Sequence, residues 1–147
     1  MKYSEGNIGR VFVIRLEDGD WLPQSVENLV IDKGIQRGMC LLVGGIKGGG
    51  TIVAGPRQED VIPVETINQV LAGIHEIAAV GTIFPDEQGV PKLHMHAALG
   101  RDQKTISGCV RLGIETWKVG ELILLEIINN KAHRKKEAAT GFELLEP

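Results

Sequence analysis

Aromatic residues are scarce in this chain, at 4% of its 147 residues. The one dense basic run, Lys131 to Lys136, has no interleaved aromatics on which bases could stack. A basic surplus is missing too. The formal net charge is −3 at pH 7, which argues against nucleic-acid binding by bulk charge and leaves room only for a local basic patch. No apolar run approaches the roughly 18 residues of a membrane span. The opening stretch MKYSEGNIGR has no hydrophobic core of a signal peptide. The expectation is a cytoplasmic protein with no membrane partner. Its two cysteines, Cys40 and Cys109, are then expected to be reduced.

What is present is an ordinary globular balance, 43% hydrophobic and 24% charged. The length suits one domain over residues 1–147, with a core large enough to fold without disulfide or metal staples. Nineteen glycines point to tight turns and close strand packing.

Alternation over Gly9 to Leu16 predicts a strand with at least one buried face. Asp20 is a plausible N-cap for a helix whose Leu22, Val26, Leu29 and Val30 recur at helical spacing, with Pro23 in its first turn and Gly34 as C-cap glycine. Gly38 to Ile46 and Gly48 to Pro56 read as short strands. Pro63 speaks against a central strand over the ambiguous segment that follows. The stretch VLAGIHEIAAVGTIF reads as one long strand, bent at Gly73 or Gly81. PKLHMHAAL is the next strand, TISGCVRLGIETW another, KVG a turn, and ELILLEII a further strand. Asn129 to Ala138 reads as a charged loop or short helix, and GFELLEP as an edge strand. Short turns between successive strands imply antiparallel pairing. The sum is a β-rich α+β domain, a curved and mainly antiparallel sheet covered by one main helix.

The stretch KLHMHAALGR sets two of the four histidines one residue apart. On a strand, His94 and His96 share a face, about 7 Å apart along the chain, while Leu93, Met95 and Ala97 face the other way. Two imidazoles on one face can converge on zinc or another divalent transition metal, which takes about four nitrogen or sulfur donors. The following strand offers Cys109, and the preceding one His75 beside Glu76. The candidate set is His75, His94, His96 and Cys109. The competing reading makes Cys109 a small buried apolar residue and His75 a group that hydrogen-bonds the backbone or orients another histidine. Glu76 is expected to pair with Arg15 or Arg111, or else to act as a general base on a metal-bound water. Arg101 and Arg111 flank the H-x-H in sequence, and each is a candidate to hold an anion with its planar fork. The glycine cluster VGGIKGGG does not match a phosphate-binding loop. The basic run Lys131 to Lys136 reads as a solvated face.

The order of these segments resembles the PPC domain, the plant and prokaryote domain also found attached to AT-hooks. The resemblance spans about residues 7 to 130 and is most specific from His75 to Gly113. Glu76 falls on the glutamate of the family's E-I-x-x-x-x-G strand, and His94, His96 and Gly100 on its H-x-H-x-x-L-G strand. SGCV stands where the family has G-G-H-L, so Cys109 takes the place of a third histidine. The resemblance implies a curved antiparallel sheet with a helix, a homotrimer, and a link to proteins labelled DNA-binding, although this chain carries no AT-hook. Two functions follow. One is a metal-binding regulatory module with DNA as a possible partner. The other is a zinc-dependent hydrolase or lyase acting on a small anionic substrate.

Overall fold

The computed structural model describes all 147 residues. Its elements, in chain order, are β1 (Asn7–Glu17), β2 (Trp21–Leu22), α1 (Gln24–Asp32), β3 (Gly38–Ile46), β4 (Thr51–Pro56) and β5 (Thr66–Val70). Then come β6 (His75–Pro85), β7 (Pro91–Arg101), β8 (Lys104–Cys109), β9 (Ile114–Ile128), β10 (His133–Lys136) and β11 (Glu143–Glu146). The main sheet runs β1-β9-β3-β6-β7-β8-β4-β5, with β2 added to β9 and β10-β11 as a separate hairpin. Neighbouring strands pair antiparallel, as the short turns predict. A single nine-residue helix against eleven strands makes the fold mostly β rather than a balanced α+β.

Period-two patterning divides the sheet into two faces. One carries the core, where Leu42, Ile77, Met95, Leu122 and Leu124 pack with Val26 and Val30 of α1 in a cluster of 21 buried residues. The helix is tied to the sheet at the site strand, because the Leu93 amide donates to Glu27 Oε1 at 2.9 Å. Its C-terminus is as the sequence suggests. Gly34, at φ 65°, lets its own amide reach Ile31 O and that of Ile35 reach Val30 O, which closes the last turn.

Four expectations need correction. The helix begins at Gln24 with Pro23 in the capping position. Asp20 lies too far upstream, because Trp21 and Leu22 are spent pairing with β9, and its carboxylate instead accepts from the Glu17 amide and Ser25 Oγ. The long strand expected from Val70 to Phe84 is two strands. Leu71 turns into the core, and its backbone pairs with Gly49 and Gly50, so the ladder breaks before His75. The KVG turn is a bulge inside β9: Lys118 adopts φ 63°, and the β3 register shifts between Gly44 and Gly45. A side chain at Gly44, whose φ is 144°, would collide with the Val119 carbonyl. The chain reverses earlier, between Cys109 and Ile114. Asn129 to Ala138, read as loop or short helix, contains the first strand of the terminal hairpin, and β11 falls within the expected edge strand.

At one edge of the sheet, Glu126 accepts from Arg10 Nε and Nη2, both at 2.7 Å, and from the Arg10 amide at 3.1 Å. These bonds, against an opposing effect of burial, lower the carboxyl pKa to about 2 from a usual 4.5. A depressed folded-state pKa stabilises the fold above the unfolded value, and that contribution is lost as pH falls from about 4.5 through about 2. Glu126→Gln is therefore expected to cost about 1–2 kcal/mol at pH 7, discounted because Arg10 is 53% exposed. It should also flatten the decline of stability with acid. Urea unfolding at pH 7, 4.5 and 2.5 checks both. Parallel pH profiles for wild type and variant would remove the assignment.

Candidate metal centre

Residues paired across antiparallel strands point to the same face. His94 lies opposite Thr82 of β6, and His96 opposite Val80 of β6 and Cys109 of β8. His94, His96 and Cys109 therefore emerge together on the face away from α1. Their donor atoms all lie within 4.8 Å of one another. The two imidazole Nε2 atoms are 3.2 Å apart and the rings stand edge-on at 87°. Two nitrogens each about 2.05 Å from one tetrahedral ion are separated by about 3.3 Å, so the imidazoles fit zinc or a similar divalent metal. The Cys109 side chain is buried and its sulfur accepts from Arg111 Nε at 3.3 Å.

Electrostatics favour the ligand form of His94. Burial, then the charges of Arg134 and Arg111, lower its pKa below the usual 6.5, which keeps the ring neutral and its nitrogen available. Cys40, the other thiol, is fully buried in the core, and burial raises its pKa to about 12. It has no part in the site.

His75 does not join the set. Counting along β6 puts it on the core face with Ile77 and Ala79, the opposite face from Val80 and Thr82. It is 7% exposed and its Nδ1 lies 2.9 Å from Gly73 O. Glu76 is the residue on the histidine face, but it sits opposite Gly100, four residues from Val80, or about 13 Å along the strand. It forms an ion pair with neither expected arginine: Arg15 pairs with Glu17, and Arg111 meets the thiol. Arg101 is also remote, about 16 Å past His96 along β7. It donates to Ile74 O and shares a separate cleft with His75 and Lys104. Of the two proposed anion-binding arginines, only Arg111 reaches the metal set.

The two imidazoles open onto a cleft of about 620 Å³, lined by His94, His96, Arg111, Lys92 and residues of the β10-β11 hairpin. That hairpin crosses the histidine face and contributes Arg134, 7% exposed, whose Nη2 lies 3.3 Å from Thr82 Oγ1. Sequence reasoning missed Arg134. The only signal was its place in the basic run, which reads as solvated surface.

An open antiparallel sheet that presents an H-x-H strand and a neighbouring thiol to a basic cleft defines a class, β-rich domains with a potential three-donor metal centre. The sequence pattern of the Plants and Prokaryotes Conserved domain matches residues 3–128, and the chain belongs to that family. No curated protein matches the sequence. Among solved structures, the chain is similar to a metal-containing protein of Archaeoglobus fulgidus, at 23% identity and a TM-score of 0.86, over 100% of both chains. A plant- and prokaryote-conserved protein of Pyrococcus horikoshii is alike at 23% identity and a TM-score of 0.86, over 100% of this chain and 98% of that one. A Bacteroides thetaiotaomicron protein described as a candidate DNA-binding protein aligns at 17% identity and a TM-score of 0.76, over 96% of each chain. At these identities the likeness establishes the fold.

Proposed function

We propose that this protein is a metal-binding regulatory module of the PPC family, holding zinc or another divalent transition metal with His94, His96 and Cys109 and acting as a homotrimer. The observation that carries the reading is the 3.2 Å approach of the two Nε2 atoms on one face, with the thiol beside them. The metal-containing Archaeoglobus relative supports it. Elemental analysis of the purified chain, stripped and reloaded, tests it, with about one ion per chain expected from a single three-donor site.

The trimer is supported by what else lies on that face. One ladder row runs Val13, Ile123, Leu41, Val80, His96, Cys109. Its first four members are apolar, and Val13 is 84% exposed. Val11, Met39 and Val43 widen the patch. Apolar strand faces of this kind are ordinarily covered by a partner.

DNA is the proposed partner for regulation. Its support is the description of the Bacteroides relative and the exposed Lys131, Lys135 and Lys136 around the terminal hairpin. Binding through so few lysines should be weak and fall steeply between 50 and about 200 mM salt. A gel shift at both salts checks this, and absence of retardation at the lower salt removes DNA from the reading.

A second reading, a zinc-dependent hydrolase or lyase of a small anion, is favoured by one feature. Three protein donors beside an open cleft leave a coordination position free, as catalytic zinc sites do and closed structural sites do not.

A further inference from the structure

Arg134 raises a physical problem. It is 7% exposed, yet no carboxylate forms an ion pair with it. Its contacts to Thr82, at 3.3 and 3.4 Å, are long and go to neutral oxygens. A buried charge without a counter-charge is costly and persists where a ligand supplies the missing partner. Glu143 stands in the same cleft wall and is felt by Arg134, but at a distance beyond a direct pair. The cleft is otherwise one-signed. Lys92, Arg111, Arg134 and Lys136 line it against the single carboxylate of Glu143. Arg111 has no carboxylate partner either, since its guanidinium donates to the Cys109 sulfur.

These groups lie beside the metal donors. Arg134 and Arg111 both act on His94 by charge. Arg134 is anchored on Thr82, the residue directly across the ladder from His94. The cleft, about 620 Å³, is within the range that holds small molecules. A bound divalent ion opposed by one thiolate adds to the positive field. A singly charged carboxylate has two oxygens for these partners. A phosphate monoester has three terminal oxygens and a double charge, enough for two guanidinium forks and the open position of the ion.

We propose that the cleft binds a small molecule bearing a phosphate-type dianion, held between the metal and the forks of Arg111 and Arg134, with Arg134 supplied by the C-terminal hairpin. The proposal rests on the metal reading above. It assigns a function to the hairpin, which follows the part of the chain that matches the family pattern at residues 3–128. It also names a binding residue, Arg134, in place of Arg101.

Cobalt(II) loading separates this proposal from the metal reading. Cobalt-loaded wild type should bind inorganic phosphate saturably by calorimetry, with a change in the cobalt visible spectrum, and phenyl phosphate should do the same. Succinate, a dicarboxylate of similar charge, should bind at least tenfold more weakly. Arg134→Gln should take up cobalt in the same stoichiometry and bind phosphate at least tenfold more weakly, while Arg134→Lys should recover part of the loss. Lys33→Gln, at the end of α1 on the other face of the sheet, should bind as wild type. A chain that takes up no cobalt sinks both readings. A chain that takes up cobalt and ignores phosphate, binds it without spectral change, prefers succinate, or binds phosphate equally well as Arg134→Gln overturns this proposal alone. Circular dichroism of each variant shows that the comparison is between folded proteins.

Discussion

Replacing His94 and His96 together by alanine should abolish the proposed metal binding and leave the fold standing. Elemental analysis is expected to fall from about one ion per chain to less than about a tenth, because a lone thiol cannot hold a divalent ion against dilution and chelator. The fold survives because the imidazoles lie on the outer face. The 21-residue core, which includes Leu93, Met95, Ala97 and Leu99 of the same strand, keeps every contact. Truncating one such core leucine costs about 2–5 kcal/mol, whereas removing two half-exposed rings touches none of that packing. Far-ultraviolet circular dichroism and the thermal midpoint in the presence of chelator should therefore match between variant and wild type. Equal metal content in the two proteins would end the assignment. Unfolding of the variant under chelator would mean that the ion staples the structure.

Leu41→Glu should convert the proposed trimer to single chains. Light scattering is expected to read 48 kDa for wild type, three times the 16.0 kDa chain, and 16.0 kDa for the variant. Leu41 sits mid-row between Ile123 and Val80 on the outward face and is 45% exposed in the isolated chain. A carboxylate there stays hydrated in the monomer and disturbs no core contact. Between copies it would be buried without a partner, a penalty of several kcal/mol per site, repeated at each symmetric contact. A wild type of 16.0 kDa at micromolar concentration removes the trimer. A variant that stays at 48 kDa moves the interface elsewhere.

The parts of this molecule legible in the sequence are those set by local rules. Period two placed His94 and His96 on one side of β7, and helical spacing with a terminal glycine located α1 and its end. Cys109 was reachable because a two-residue turn, Asp102 and Gln103, fixes the register between β7 and β8. His75 failed for a non-local reason. Its face depends on where β6 resumes after Leu71 enters the core, and a shift of one residue exchanges the two sides of a strand. Glu76 lies on the face of the histidines, but its distance from the site is set by pairing with Gly100, which no local pattern encodes. The β9 bulge was hidden because K-V-G has turn composition, and only the neighbouring β3 shows that the strand continues. Arg134 was invisible because its burial arises from a hairpin folding back over distant strands.

β7 has no idle side. Its odd-numbered residues from Leu93 to Leu99 are wedged among core neighbours, while its even-numbered histidines face the cleft. The two imidazoles therefore have no backbone freedom of their own, and any movement that spread them would first have to unpack the interior beneath. Rigidity at the donors is inherited from the hydrophobic layer behind them. An ion held there would bind only the folded arrangement of this eleven-residue strand and not the unfolded chain.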